Sequence, residues 1–338
     1  MKSDQDQVGA AVLRGMSAFV TEWMLPLLKP PKGGWQPADY FPDAASEDWG
    51  DRCSVIRTSA SGLPDDLLVS VVGNTVTEEA LPSYQSWVNR LRGIGDATGT
   101  DEAPWARWIR AWSAEENRHG DVLNRYLYLC GRVDMRSVEI TVQNLIRNGF
   151  NAGIGDDPYM GLIYTAFQET ATKLSHSAAG VRARREGDEL LGRICCIVAS
   201  DEARHQIAYI RAVKEIFRVD ADGAVVALKR TFRPMASMPG LLMDDGRTDR
   251  LYAAYSAAAN RAGVYGSRDF ALIVGSLVRT WDVGGLTGLS SDASEAQEFV
   301  CRIAERYERL VDSPQERPVP AAAETYPWIH RRRTAFAS

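Results

Sequence analysis

Apolar residues recur every three or four positions along most of this chain, a period that predicts helices and argues against strands. The pattern places helices over 8–28, 65–92, 104–130, 158–184, 188–218, 222–232, 247–262, 267–281 and 290–311. The first stops near Lys29-Pro30-Pro31 and gives way to a loop that holds Trp35-Gln36-Pro37 and Phe41-Pro42. Later breaks carry Gly, Pro and Asp clusters such as Gly153-Ile154-Gly155-Asp156-Asp157-Pro158. Strand-like alternation is confined to a short stretch near the C-terminus. The expected fold is a single all-α domain, 1–338, built on a helix bundle.

Within those helices the polar exceptions carry the chemistry. There are four histidines, and two of them close a Glu-x-x-His spacing: Glu116 with His119, and Glu202 with His205. Residues three apart share one helix face about 4.5 Å apart along the axis, so a Glu and a His can reach one metal ion together. Both pairs interrupt apolar stripes. Trp105, Trp108, Trp112, Glu116, His119, Leu123 and Leu127 form one stripe, and Val198, Glu202, His205, Tyr209 and Val213 the other. A carboxylate on a core-facing stripe must be neutralised or paired. Two further acids, Glu78 and Glu169, fall on core-facing helix positions. Four carboxylates and two imidazoles from four helices form the ligand set of a carboxylate-bridged di-iron or di-manganese bundle, and four carboxylates balance two divalent ions. Pro82 deletes the hydrogen bond to the Glu78 carbonyl and should kink that helix, either as a tolerated bend or to aim the carboxylate. His176 lies two turns beyond Glu169, roughly 10 Å along the axis, too far to share its metal; it reads as a hydrogen-bonded core histidine.

Composition narrows the alternatives. The 338 residues are 45% hydrophobic and 25% charged, as expected of a globular protein. Uncharged runs fall well short of the ~20 residues that span a bilayer, so no membrane insertion is expected. The net charge of −5 argues against nucleic acid as a partner. Five cysteines without C-x-x-C spacing support neither a disulfide framework nor a zinc ribbon. The N-terminus lacks the marks of a signal or transit peptide, so the expected location is cytoplasmic.

Four segments centred on these acids, Thr77-Glu-Glu-Ala-Leu-Pro-Ser-Tyr84, Ala114-Glu-Glu-Asn-Arg-His-Gly-Asp121, Phe167-Gln-Glu-Thr-Ala-Thr172 and Ser200-Asp-Glu-Ala-Arg-His205, resemble the soluble acyl-[acyl-carrier-protein] desaturases of the plant stearoyl type. So do Trp35-Gln-Pro-Ala-Asp39, Tyr126-Leu-Tyr-Leu-Cys-Gly-Arg-Val-Asp-Met135 and Ser237-Met-Pro239. The match runs from about 35 to 302 and weakens in the N-terminal helix 8–28 and the Pro-rich tail 313–338. The resemblance implies a ferritin-like four-helix bundle with additional helices, normally a homodimer. It implies two iron ions, O2 as co-substrate, a reduced [2Fe–2S] ferredoxin as electron donor, and a cis double bond set into an acyl chain on the phosphopantetheine arm of an acyl carrier protein. Glu78, Glu116, His119, Glu169, Glu202 and His205 would hold the iron, with Glu116 and Glu202 bridging. Thr172 would assist oxygen activation. Asp201 would hydrogen-bond to His119 with Trp35 behind it, a line able to carry electrons inward.

The departures fall on the substrate side. Trp87 and Arg90 stand where the plant-type enzymes carry smaller or flexible cavity residues, Leu162 replaces an aromatic, and Ile154 replaces a small polar residue. With Leu91 and Gly161 these are the substrate-cavity candidates. Lys229, Arg230 and Arg233 form a basic cluster suited to steering an acidic carrier protein. The altered cavity keeps open an oxygenase acting on a carrier-bound substrate, and the ligand set alone would also fit a ferritin-like iron-binding protein.

Overall fold

In a computed structural model of the chain, the described residues are 4–233, 237–303, 305, 306, 309 and 328–330. The helices are α1 (Asp4–Gly15), α2 (Ser17–Phe19), α3 (Trp49–Ser61), α4 (Asp65–Glu79), α5 (Leu81–Val88), α6 (Pro104–Cys130), α7 (Met135–Asn148), α8 (Pro158–Arg185), α9 (Glu189–Val219), α10 (Ala221–Phe232), α11 (Leu251–Arg261), α12 (Ser267–Thr280) and α13 (Ser291–Cys301). The architecture is all-α, a four-helix bundle of α4, α6, α8 and α9 with the other helices packed around it. Among the described residues, β-pairing is limited to one antiparallel bridge between Val133 and Ile329. No helix among them is long and apolar enough to cross a membrane.

Local chemistry explains the boundaries. Pro104 and Pro158 open α6 and α8, where a missing N–H costs nothing. The Asp157, Asp188 and Asp220 side chains accept from the first-turn amides of α8, α9 and α10. Gly131 closes α6 at φ 69°, a left-handed turn that favours glycine. The stretch expected as one helix over 65–92 is two, broken at Ala80, where the chain makes a tight turn from Ala80 N–H to the Thr77 carbonyl. Pro82 is the physical reason, since it cannot donate to the Glu78 carbonyl. The helix expected over 8–28 begins at Asp4 and loosens beyond Gly15 into a short helix, a π-turn over Val20–Met24 and a 3-10 turn over Leu25–Leu27. Two helices are additional to the sequence reading. In α3 the buried positions are Cys53, Ile56 and Ala60 in an otherwise polar run; α7 is rich in β-branched residues. The 290–311 helix is described as helix over Ser291–Cys301; most of the Pro-rich tail lies outside the described residues.

Two apolar clusters fill the interior; α6, α8 and α9 pass from one to the other, while the buried apolar residues of α4 lie in the second and Leu81, Trp87 and Val88 of α5 in the first. On α6, Trp112 belongs to the first and Leu123 to the second. On α9, Val198 belongs to the second and Tyr209 to the first; on α8, Ala171 and Ala179 mark the same change. Glu116, His119, Glu202 and His205 fall in that gap on their helices, so the polar side chains meet at a single level of the bundle. Gly120 lets α4 close on α6 there: a Cβ would meet Glu79 Cγ at 2.9 Å and its backbone N at 3.3 Å.

Candidate metal centre

The four bundle helices bring Glu78, Glu116, His119, Glu169, Glu202 and His205 together as two overlapping groups. Glu78, Glu116, His119 and Glu202 each offer one atom within 4.8 Å of all the others, and so do Glu116, Glu169, Glu202 and His205. Glu116 and Glu202 belong to both. All six side chains are buried. Each imidazole turns Nδ1 inward: His119 Nδ1 lies 3.2 Å from Glu116 and 3.1 Å from Glu202, and His205 Nδ1 lies 2.7 Å from Glu116 and 3.6 Å from Glu169. Yet Glu116 Oε1, Glu202 Oε1 and both Nδ1 atoms have no hydrogen-bond partner among the described residues. Buried polar atoms left in that state cost roughly 1–3 kcal/mol each. Four such atoms converging at one point, with carboxylate and imidazole donors only, fit a pair of divalent cations.

The electrostatics agree. Burial alone would depress both imidazoles, but the Glu116 charge and the other carboxylates around them lift His119 and His205 well above the ordinary imidazole range. Burial together with the charges of Glu116 and Glu202 pushes Glu169 well above the carboxylate range. Burial also works against Glu78 and Glu116, but their histidine neighbours outweigh it and keep both low.

A polar layer orients the cluster. His119 Nε2 faces Asp201 at 3.6 Å, and Asp201 accepts from Trp35 Nε1 at 2.9 Å and from Arg204 at 2.6 Å. The Trp35 ring lies nearly parallel to that of His119, with centroids 6.2 Å apart and a 7° tilt. His205 Nε2 meets Glu115 at 2.9 Å, and Glu115 is held by Arg204 and by the Lys29 backbone N–H at 2.7 Å. Sequence reasoning missed Glu115, although the signal was present: both motifs read acid-Glu-x-x-His, and each leading acid serves the histidine of the other motif. It also left open which group His176 bonds. Its Nε2 lies 2.8 Å from Glu78 Oε1, while Trp112 Nε1 donates to Glu169 Oε1 at 3.1 Å. The Thr172 hydroxyl donates to Glu202 Oε2 at 2.8 Å, in competition with the Gln168 carbonyl at 3.0 Å.

A cavity of about 150 Å³ opens beside these carboxylates, walled by Thr172 and by apolar and aromatic side chains. Trp87 is in its wall, packed edge-on against Phe150 with centroids 5.4 Å apart. Arg90 lies in a neighbouring groove with Asn151, Gly153 and Gly155. Leu91, Ile154 and Leu162 sit in the first apolar cluster, and Gly161 is pressed against Leu91, so none of these four lines the cavity. Of the basic cluster, Lys229 pairs with Glu295 at 2.6 Å and Arg230 with Asp157 at 3.1 Å, while Arg233 is exposed.

Comparison with known proteins places this geometry in a family. The chain is 48% identical to the acyl-[acyl-carrier-protein] desaturase 3, chloroplastic, of Oryza sativa subsp. indica, over 95% of this chain and 81% of that one. It is 46% identical to the stearoyl-[acyl-carrier-protein] 9-desaturase, chloroplastic, of Spinacia oleracea, over the same shares of the two chains. Its fold resembles the X-ray structure of DesA2 from Mycobacterium tuberculosis H37Rv, with a TM-score of 0.50 and 18% identity over 86% of this chain and 99% of that one. The sequence profile described as fatty acid desaturase matches residues 9–330. With the match spanning nearly the whole chain and all six candidate ligands, the chain belongs to the fatty acid desaturase family.

Proposed function

We propose that this protein desaturates an acyl chain carried on an acyl carrier protein, using two iron ions held by Glu78, Glu116, His119, Glu169, Glu202 and His205. The observation that carries the reading is the pair of four-residue groups sharing Glu116 and Glu202, in a chain so similar to the desaturases of rice and spinach. Iron with O2 and electrons from a [2Fe–2S] ferredoxin supplies the oxidising power that an unactivated methylene demands and acid–base groups lack. The protein's own residues do the rest. Glu116 and Glu202 belong to both groups, Glu115 holds the His205 ring from behind, and Asp201 faces His119 Nε2 in the corresponding place, the usual position of such carboxylates. Thr172 is poised to pass a proton at Glu202 Oε2. Leu81, Val88 and Phe150 keep the cavity dry around the chain. The line from Trp35 through Asp201 to His119 suits electron entry. Arg233 and the half-paired Arg230 suit an acidic carrier. A single domain, a homodimeric assembly and a cytoplasmic location complete the reading, supported by the family resemblance and the sequence.

The test is to incubate the iron-loaded protein with a panel of acyl carrier proteins, a ferredoxin system and O2, and to weigh the acyl product. Loss of two hydrogens from a chain is the expected result. Gain of oxygen moves the assignment to an oxygenase, and many irons per chain with no acyl product moves it to iron binding alone.

A further inference from the structure

Trp35 is gripped by Arg118 as well as by Asp201. Arg118 is buried; its Nη1 donates to the Trp35 carbonyl at 3.0 Å, and its Cζ lies 5.0 Å from the centroid of the indole. Its Nη2 lies 3.3 Å from Asp201, which also accepts the indole N–H. Gly34 makes room for this arrangement, because a Cβ there would meet Arg118 Nη1 at 2.5 Å. Against the same ring stand His119, parallel to it, and Tyr40, edge-on with centroids 5.7 Å apart. Three cations of this corner, Arg118, Arg204 and Lys29, face two carboxylates, Asp201 and Glu115. A cation over an aromatic ring is drawn to the electrons of its face and opposes any positive charge placed on the ring. Removing an electron from Trp35 would place such a charge 5.0 Å from a buried guanidinium.

We propose that Arg118 is a positioning residue that protects Trp35: its guanidinium, clamped over the indole, opposes oxidation of a ring that lies against a metal-ligand histidine. The inference rests on the oxidising centre proposed above and adds a residue to it. The step it guards against takes one electron from the indole, reduces the oxidant by one electron and releases the N–H proton to water. Inward passage of electrons from ferredoxin does not require the indole to be emptied, so the same ring can serve it. The first arm of the test exposes the full-length, metal-free protein to the azide radical made by pulse radiolysis. Each radical takes one electron and becomes azide ion, and being neutral it is not steered by the loss of a cation. Wild type, Arg118→Met and Arg118→Lys are compared by the loss of intact Trp35, read by tandem mass spectrometry, with the exposed Trp23 and Trp49 as internal references. Arg118→Met removes the charge and should lose Trp35 roughly tenfold faster against those references, whereas Arg118→Lys keeps the charge and should stay near wild type. A merely loosened ring would respond alike to both substitutions, so an equal rise in both overturns the proposal, as does no rise in either. The second arm runs the iron-loaded proteins with acyl carrier substrate, ferredoxin and O2, and iron content reports an intact centre. Trp35 should be consumed in Arg118→Met and spared in wild type and Arg118→Lys. Iron-loaded Arg118→Met protein that keeps Trp35 overturns the protective role and leaves the desaturase reading intact. Wild-type protein that forms no acyl product overturns both, an outcome told apart by that product alone.

Discussion

The His119 half and the His205 half of the centre repeat one plan with different surroundings. Each has a histidine turned inward through Nδ1 and backed through Nε2 by an acid from the opposite motif, Asp201 in one and Glu115 in the other. Arg204 touches both acids. Beyond that the halves part. Asp201 leads to a half-buried indole, Trp35, whereas Glu115 leads to the backbone of Lys29 and to an arginine. The terminal carboxylates differ as well: Glu78 is held low by His119 and His176 and lies 2.8 Å from His176, while Glu169 is pushed up by burial and accepts from Trp112. The lesson is that a repeated ligand motif gives two similar metal positions, while non-repeated neighbours decide what each position is connected to.

The strongest way to break the comparison is to remove what the halves share. Glu116→Ala or Glu202→Ala should empty both positions, and atomic emission should find well under one iron per chain, with no turnover. In the wild type, added Fe2+ at a hundred times its Kd should stabilise the fold by about 2.7 kcal/mol, read as a higher Tm under anaerobic conditions. A Tm unmoved by Fe2+ would contradict a centre built at this level of the bundle.

Replacing one backing acid at a time sharpens the contrast. Asp201→Asn and Glu115→Gln should each weaken iron binding by roughly 10- to 100-fold. At matched iron content, only Asp201→Asn should also slow reduction by ferredoxin in stopped flow, because only that side carries Trp35. Equal slowing in both variants would erase the distinction. Next come the partners of the terminal carboxylates. His176→Ala strips a hydrogen bond from a charged group and should cost about 1.5–3 kcal/mol in urea unfolding of the metal-free protein; Trp112→Phe strips one from a carboxyl pushed toward its neutral form and should cost about 0.5–1.5 kcal/mol. The reverse order would mean that Glu78, not Glu169, is the carboxyl pushed up. The smallest effect is expected from Thr172→Val, with iron content unchanged and turnover a few-fold slower, since only one hydroxyl contact to Glu202 is lost.

Much of this protein is written locally. Helix period, proline at helix starts, aspartate caps and the three-residue step from Glu to His act within one or two turns, so α6, α8 and α9, both Glu-x-x-His pairs and a kink at Pro82, though not the full division of that helix, were legible in the sequence. Helices α3 and α7 were not, because a sparse apolar stripe and a β-branched run blur the same local signal. The tertiary structure alone decided the contacts between distant residues. His205 with Glu115, His176 with Glu78 and Trp112 with Glu169 span separations of 90, 98 and 57 residues. The cavity wall likewise draws on Tyr84, Tyr164 and Tyr265, which share no element. A helix fixes which face a side chain is on, but which neighbour meets that face depends on how whole helices pack, and no short window of sequence contains that information.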